Sequence, residues 1–316
     1  MAIRDYRGSG PGRLKVKIGK LELDNPVILA SGTCGFVKEI EEFVKVDKIG
    51  AIVTKTITYR KREGNPPPRV AEASCGLLNS IGLDNRGLKD FMFEKVPYLE
   101  RLKVPVIVSI AANSVNEFIR LTRELSRVGC IGAIEVNLSC PNVIHRGTRF
   151  PVLAQDRKAV ERIMLRLRKV TSCVLIAKLS PHVIDIKDIA RAAEGAGCNA
   201  LSLVNTYPGM LVDVHTMRPK LGGISGGLSG PCIKPLALKC VWDAYSAVSI
   251  PIIGMGGIMN AEDAIEFILC GATAVQIGTA NFVNPGAPLE IIRGIDGYLK
   301  DKGIKSVKSL TGKIRV

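Results

Sequence analysis

Residues 133–142 read Ala-Ile-Glu-Val-Asn-Leu-Ser-Cys-Pro-Asn, a short β-prone run that passes directly into two amides, a hydroxyl and a thiol. Pro141 can neither extend a strand ladder nor enter a helix interior, so the chain must turn just after Cys140. This pattern is typical of α/β proteins, whose chemistry lies where buried parallel strands end. The alternative is a buried cysteine that packs as a small hydrophobe, and the polar neighbours of Cys140 argue against it.

Seven further β-prone runs recur along the chain, and most of the segments between them have helical periodicity. The eight runs are Pro26–Ala30, Ala51–Thr54, Val104–Ile110, Ala133–Leu138, Val174–Leu179, Ala200–Val204, Pro251–Met255 and Ala274–Ile277. The helical segments include Val115–Val128, Asp156–Val170, Ile186–Ala196, Ile233–Val248 and Ala261–Leu269. Apolar strands covered by helices indicate a parallel sheet buried on both faces. Eight of them favour a closed (β/α)8 TIM barrel, which we expect to be a single domain spanning residues 1–316.

Two connections exceed a single helix, residues 56–104 and residues 206–232, and both are rich in Gly and Pro. Since both follow a strand, they are predicted to be long insertions at the C-terminal rim of the barrel, where such loops bind ligands or act as lids. The ends of the strands are then predicted to ring one mouth with polar residues. These are Ser31, Lys55, Ser109, Asn137, Lys178, Asn205, Thr206, Gly256, Gly257, Gly278 and Thr279.

Glycines after the last two strands favour a phosphate site at that mouth. Gly256-Gly257 and Gly278-Thr279 place backbone amides where a phosphate can approach closely, and barrels commonly bind phosphate there. The alternative for each glycine pair is a simple turn. Lys55 and Lys178 end strands at positions where an ammonium is partly desolvated, which favours an anionic partner over the common alternative of a lysine reaching to solvent.

Composition narrows the possible partners. The 316 residues are 47% hydrophobic, and 44 Lys and Arg against 29 Asp and Glu give a net charge of +15. The charges are scattered, aromatic residues are only 5%, and no RNA-binding signature appears, so nucleic acid is not expected as a partner. The longest apolar runs are of strand length, which predicts a soluble protein without a membrane span.

The nine cysteines lie mostly in apolar runs, and the N-terminus lacks the apolar core of a signal peptide. We therefore expect a reducing, cytoplasmic location. No Cys-x-x-Cys spacing occurs, so this chain is not expected to hold zinc or an iron–sulfur cluster, and any such cluster would belong to a partner.

Cys140 is the best candidate for proton transfer. The three histidines, at positions 145, 182 and 215, lie in loops without metal-ligand spacing or a convincing Ser/Asp pairing, which argues against a hydrolase triad or a metal site. A free thiol has a pKa of about 8.5, and its thiolate can act as a base. Removal of a proton next to a carbonyl fits that chemistry.

The order of these motifs resembles the dihydroorotate dehydrogenase family from about Leu21 to Phe282. The motifs are Ala30-Ser31-Gly32, Lys55-Thr56, Asn79-Ser80-Ile81-Gly82-Leu83, Asn137 to Asn142, Lys178-Leu179-Ser180-Pro181, Asn205-Thr206, Gly226 to Pro231, Gly256-Gly257 and Gly278-Thr279. The resemblance implies an FMN-containing barrel that oxidises dihydroorotate to orotate in pyrimidine biosynthesis. It also implies that Cys140 removes the C5 proton while a hydride passes from C6 to N5 of FMN.

The resemblance carries over two sets of binding residues. The residues that it implies bind the substrate are Lys55, Asn79, Ser80, Ile81, Gly82, Leu83, Asn137, Asn205 and Thr206. The residues that it implies contact FMN are Ser31, Lys55, Thr56, Ser109, Asn137, Lys178, Val204, Gly230, Gly256, Gly257, Gly278 and Thr279.

Residues 65–72 and 226–235 most resemble class 1B of this family. That class implies a homodimer of FMN subunits that forms a heterotetramer with a second protein carrying FAD and a [2Fe–2S] cluster, through which electrons reach NAD. A class 1A enzyme linked to fumarate is the second choice, because it shares the catalytic motif.

Three other functions stay open at this point. Dihydropyrimidine dehydrogenase domains share the barrel and a loop cysteine, so the substrate could be another pyrimidine. Ser109, which replaces the usual Asn of class 1B, and the unusual stretch at residues 150–154 also fit a flavin- or phosphate-binding barrel without turnover. A lyase or isomerase acting on a phosphorylated metabolite would use the same barrel and would be colourless.

Overall fold

The computed structural model describes residues 12–138 and 155–315, together with the backbone of residues 144–145 and 148–149. Eight parallel strands close into a barrel. They are β1 Val27–Leu29, β2 Ala51–Val53, β3 Val106–Ile110, β4 Ile131–Asn137, β5 Val174–Lys178, β6 Ala200–Leu203, β7 Ile252–Met255 and β8 Ala274–Ile277. The predicted (β/α)8 barrel is confirmed.

Several strands begin one residue after a proline. Pro26, Pro105 and Pro251 directly precede β1, β3 and β7. Proline has no N–H to donate to a ladder, so strand pairing begins at the residue that follows it. The predicted strand Val104–Ile110 is therefore two residues too long at its start.

Helices pack around the barrel and bury one face each against it. The α-helices are Leu88–Asp90, Val96–Leu99, Val115–Leu125, Arg157–Arg168, Ile186–Gly195, Lys234–Tyr245, Ala261–Leu269, Ala280–Val283 and Ala287–Asp301. A π-helical stretch, Phe91–Lys95, joins the first two, and the 3-10 turns are Val46–Lys48, Pro231–Ile233 and Val307–Leu310. Side-chain caps fix the starts of four α-helices, at Ser114, Asp156, Asp185 and Asn260.

The two long insertions pair with each other at the C-terminal rim. Strands Val70–Ala73 and Gly76–Asn79 form a hairpin, and Gly76–Asn79 also pairs with Gly226–Ser229, which pairs in turn with Tyr207–Gly209. We call this four-stranded antiparallel sheet the rim sheet. Two short pairs, Val212–Asp213 with Arg218–Pro219 and Ile144–His145 with Thr148–Arg149, lie in loops.

A hairpin covers the N-terminal end of the barrel. Its strands are Val16–Ile18 and Leu21–Leu23, and Val16, Ile18 and Leu23 are buried in the core. A Cβ built at Gly132, near the start of β4, would lie 2.7 Å from Leu21 Cδ1, so a larger residue there would displace the Leu21 side chain. No helix in the described part of the chain is long and apolar enough to cross a bilayer.

Candidate active site

A cavity of about 450 Å³ lies at the C-terminal mouth of the barrel, between the strand ends and the rim sheet. Most of the residues predicted from the sequence line it. They are Ser31, Lys55, Thr56, Asn79, Ile81, Gly82, Leu83, Asn137, Lys178, Val204, Asn205, Thr206, Gly230, Gly256, Gly257, Gly278 and Thr279. A volume of this size is within the range of ligand and cofactor sites.

Two predicted residues, Ser80 and Ser109, lie behind the cavity wall. Ser80 is buried, and its Oγ accepts a hydrogen bond of 2.8 Å from Asn65 Nδ2, which ties the Pro-rich insertion to the rim sheet. Ser109 Oγ lies 2.9 Å from Thr56 Oγ1, and Thr56 Oγ1 lies 3.2 Å from Ser31 Oγ. Ser109 therefore belongs to a chain of three hydroxyls that reaches the cavity through Thr56 and Ser31.

Cys140 and the segment at residues 150–154 lie outside the described residues, as do Ser139, Pro141 and Asn142 of the same motif. The loop that carries them follows Asn137, the last residue of β4, which lines the cavity. The role of Cys140 as a base stays a prediction.

Amide side chains meet at one wall of the cavity. Asn205 Nδ2 lies 3.5 Å from Asn137 Oδ1, and Asn205 Oδ1 accepts a hydrogen bond from the Thr206 amide at 2.8 Å. On the rim sheet, Asn79 Nδ2 donates to the Gly227 carbonyl at 3.2 Å. Fixed amides of this kind present both donors and acceptors, as a flat ligand with imide groups requires.

Glycines leave room at another wall of the cavity. Gly230, Gly256 and Gly257 have φ values of +99°, +126° and +78°, a region that favours glycine. A Cβ at Gly257 would lie 2.8 Å from the Gly230 carbonyl oxygen, so the loops after β6 and β7 touch here. A Cβ at Gly278 would meet no atom closer than 3.7 Å, because that position faces open cavity.

Lys178 lies at the floor of the cavity and is almost completely buried. Its Nζ lies 3.7 Å from Glu135 Oε1, and Glu135 is fully buried inside the barrel. Glu135 Oε2 accepts hydrogen bonds from Ser202 Oγ at 3.1 Å and from Gln276 Nε2 at 2.9 Å. We call Glu135, Ser202 and Gln276 the polar layer.

The sequence reasoning missed the polar layer, although a signal was present. Each of its members is a polar residue in the middle of an otherwise apolar barrel strand. In a barrel whose strands are buried on both faces, such a residue needs a polar partner from another strand. Other lining residues carried no comparable signal, such as Phe36 and Glu39 in the irregular segment after β1 and Phe282 in the short helix Ala280–Val283.

Comparisons with known proteins agree with this geometry. A family model described as "Dihydroorotate dehydrogenase" matches residues 13–299. Similar curated proteins are named "Dihydroorotate dehydrogenase B (NAD(+)), catalytic subunit". The one from Desulforamulus reducens is 49% identical over 95% of this chain and 97% of its own length. Those from Caldicellulosiruptor bescii and Carboxydothermus hydrogenoformans are 48% and 49% identical, over 96% and 95% of this chain and 99% and 96% of their own lengths.

Proposed function

This chain belongs to the dihydroorotate dehydrogenase family, and from that we propose that it oxidises dihydroorotate to orotate in pyrimidine biosynthesis as an FMN-dependent, NAD-linked enzyme. The observation that carries the proposal is the cavity at the C-terminal mouth. It combines two lysines, a wall of fixed amides and a wall of glycines within one cavity.

The residues present fit FMN. Gly256, Gly257 and Gly278 follow the last two strands, where barrels commonly hold phosphate, and the open space beside Gly278 is the space that a side chain would fill. Thr279 Oγ1 donates to Ser229 Oγ at 2.8 Å, which joins this loop to the rim sheet. We propose that these loops bind the FMN phosphate and that Ser31, Thr56, Val204 and Lys178 contact the rest of the cofactor.

Substrate would lie between the flavin and the amide wall. Asn79, Asn137, Asn205 and Thr206 offer donors and acceptors in fixed positions, and Lys55 offers a cation for a carboxylate. Ser80 supports the adjoining Ile81-Gly82-Leu83 turn from behind, through its hydrogen bond with Asn65. Binding residues held by other side chains lose little freedom when the ligand arrives.

We propose that the thiolate of Cys140 removes the proton from C5 of dihydroorotate. When bound, FMN accepts the hydride that leaves the substrate. The cation of Lys55 and the neighbouring amides hold the substrate still during the proton transfer, and a positioned base of this kind contributes about 10² to 10⁴-fold to the rate.

The names of the relatives support a partner, because each is called a catalytic subunit of an NAD-linked enzyme. We propose that two copies of this chain, each a single domain, form a cytoplasmic heterotetramer with an electron-transfer subunit that carries FAD and a [2Fe–2S] cluster. Electrons would then pass from FMN through that subunit to NAD.

The test is direct. Purified protein is expected to be yellow, and anaerobic dihydroorotate is expected to bleach the flavin absorbance. Cys140→Ala is expected to keep FMN bound and to slow bleaching by about 10² to 10⁴-fold. Cys75→Ala is the matched control, since Cys75 is an exposed cysteine outside the cavity, and it is expected to bleach at the wild-type rate. A colourless protein, or a yellow one that dihydroorotate does not bleach, contradicts the proposed function.

A further inference from the structure

The polar layer crosses the interior of the barrel directly beneath the cavity. Glu135, Ser202 and Gln276 come from β4, β6 and β8, and alternate strands of a barrel contribute side chains to the same interior layer. Ser202 and Gln276 both donate to the same carboxylate oxygen, Glu135 Oε2. The carboxylate is therefore held from two sides of the barrel.

The other carboxylate oxygen of Glu135, Oε1, faces the ammonium of Lys178. Oε1 makes no hydrogen bond with any described residue, and it lies 3.7 Å from Lys178 Nζ. The side chains of Glu135 and Lys178 are 0% and 8% exposed, so water screens their attraction only weakly. In the described part of the chain, this is the ion pair that Lys178 makes.

We propose that Glu135 is a positioning residue for the reaction, which holds the Lys178 ammonium at the cavity floor and offsets its positive charge toward the bound flavin. The inference rests on the proposed function, because it requires FMN in the cavity. Lys178 has four rotatable side-chain bonds, and a buried carboxylate with a fixed orientation limits the positions its ammonium can take. Ser202 and Gln276 fix that orientation.

The proposal predicts the direction in which the flavin responds. A positive charge beside a flavin favours its reduced form, which carries more negative charge than the oxidised form. In the wild-type protein, the carboxylate of Glu135 opposes that effect of Lys178. Without the carboxylate, Lys178 acts on the flavin unopposed, and the reduction potential of bound FMN rises.

The experiment is a redox titration of the FMN-loaded protein with reference dyes. Glu135→Gln keeps the size of the side chain and removes its charge, and it is expected to favour FMN reduction at least tenfold, which is about 30 mV for a two-electron couple. Glu135→Asp keeps the charge but withdraws it from Lys178 by one methylene, and its potential is expected between those of wild type and Glu135→Gln. If Glu135→Gln does not fold, the reduction potential of FMN bound to Glu135→Asp tests the proposal by itself.

A second buried carboxylate provides the matched control. Asp296 is 2% exposed and pairs with Arg13 and Lys300 away from the cavity. Asp296→Asn makes the same change from carboxylate to amide, and the potential of bound FMN is expected to stay at the wild-type value.

Three results overturn the inference: an unchanged potential in Glu135→Gln, a lowered potential, or, where only Glu135→Asp folds, a wild-type potential in that variant. Failure of the proposed function looks different, because wild-type protein would then not bind FMN or would not be bleached by dihydroorotate.

Discussion

Lys234 Nζ donates a hydrogen bond of 2.6 Å to Asp263 Oδ1, which joins the start of helix Lys234–Tyr245 to the start of helix Ala261–Leu269. The other carboxylate oxygen, Asp263 Oδ2, accepts hydrogen bonds from the amides of Met259 and Asn260 at 2.8 and 3.3 Å. Gly230 lies four residues before Lys234, and Gly257 lies two residues before Met259. One carboxylate therefore holds together the two glycine loops that face the cavity.

Replacing Asp263 with Asn is expected to lower the free energy of unfolding by about 1.5 to 3 kcal/mol, the range for hydrogen bonds to charged groups. The hydrogen bond that Lys234 donates to Asp263 raises the pKa of Lys234 above 10.5, so its stabilising contribution is present below that pH and is lost as the pH rises above it. Urea denaturation at pH 7 measures the loss. Glu266→Gln is the control, because Glu266 contacts the same ammonium at 3.1 Å but is far more exposed. We expect this variant to lose about 1 kcal/mol or less of the free energy of unfolding. Equal losses in the two variants would contradict the assignment.

Alanine substitutions at two glycines separate packing from ligand binding. Gly257→Ala is strained by its φ of +78° and by the nearby Gly230 carbonyl, so we expect it to lose about 1 to 3 kcal/mol of stability and to bind FMN weakly. Gly278→Ala meets no close atom and is expected to stay within about 0.5 kcal/mol of wild type. Its methyl group enters the cavity, so FMN affinity is expected to fall about tenfold or more, or about 1.4 kcal/mol. Fluorescence titration of FMN measures both affinities, and wild-type affinity in Gly278→Ala would place the phosphate elsewhere.

The hydroxyl chain of Ser31, Thr56 and Ser109 is expected to show coupling between its members. Thr56→Val leaves the Ser109 hydroxyl buried without this partner, at a cost of about 1 to 3 kcal/mol. Adding Ser109→Ala removes that hydroxyl as well, so the double variant is expected to lose less than the sum of the two single variants. Denaturant titrations of the four proteins complete the cycle, and strictly additive losses would show that the 2.9 Å contact contributes nothing.

Alkaline pH is expected to destabilise the protein through buried thiols. Complete burial raises the pKa of Cys34 from 9.0 to about 12, and Cys198 is raised to about 12 for the same reason. Between these values the unfolded thiol has lost its proton and the folded one has kept it, so stability falls as pH rises, by about 1.4 kcal/mol per pH unit for each thiol. Urea denaturation between pH 9 and pH 11 is expected to show a shallower decline in Cys34→Ala. Val37→Ala also leaves a small cavity in the nearby core but removes no titrating group. We expect its free energy of unfolding to decline with pH as steeply as that of the wild type.

The barrel was predictable because its strands are apolar runs of characteristic length with helical segments between them. The end of each strand then located most of the cavity, including Lys55, Lys178 and Asn205, since parallel strands of a barrel end at the same mouth. Three strand starts were set too early, at Pro26, Val104 and Pro251, because the ladder begins only after a proline.

The remainder of the site depends on contacts between residues far apart in the chain. Leu228 pairs with Leu78 across 150 positions, and no local pattern in the Gly-rich stretch indicates that partner. Glu135 and Gln276 are hydrogen-bonded across the barrel, and a periodicity argument treats each only as an interruption of an apolar run. Position alone placed Ser109 at the mouth, whereas its hydroxyl points to Thr56 instead of the cavity.

The hairpin formed by strands Val16–Ile18 and Leu21–Leu23 closes the N-terminal end of the barrel, opposite the cavity. Because side chains fill the interior of the barrel, ligands enter and leave the cavity from its C-terminal mouth. Orotate that stays bound in the cavity excludes dihydroorotate from it. We therefore expect orotate to act as a competitive inhibitor of its own formation.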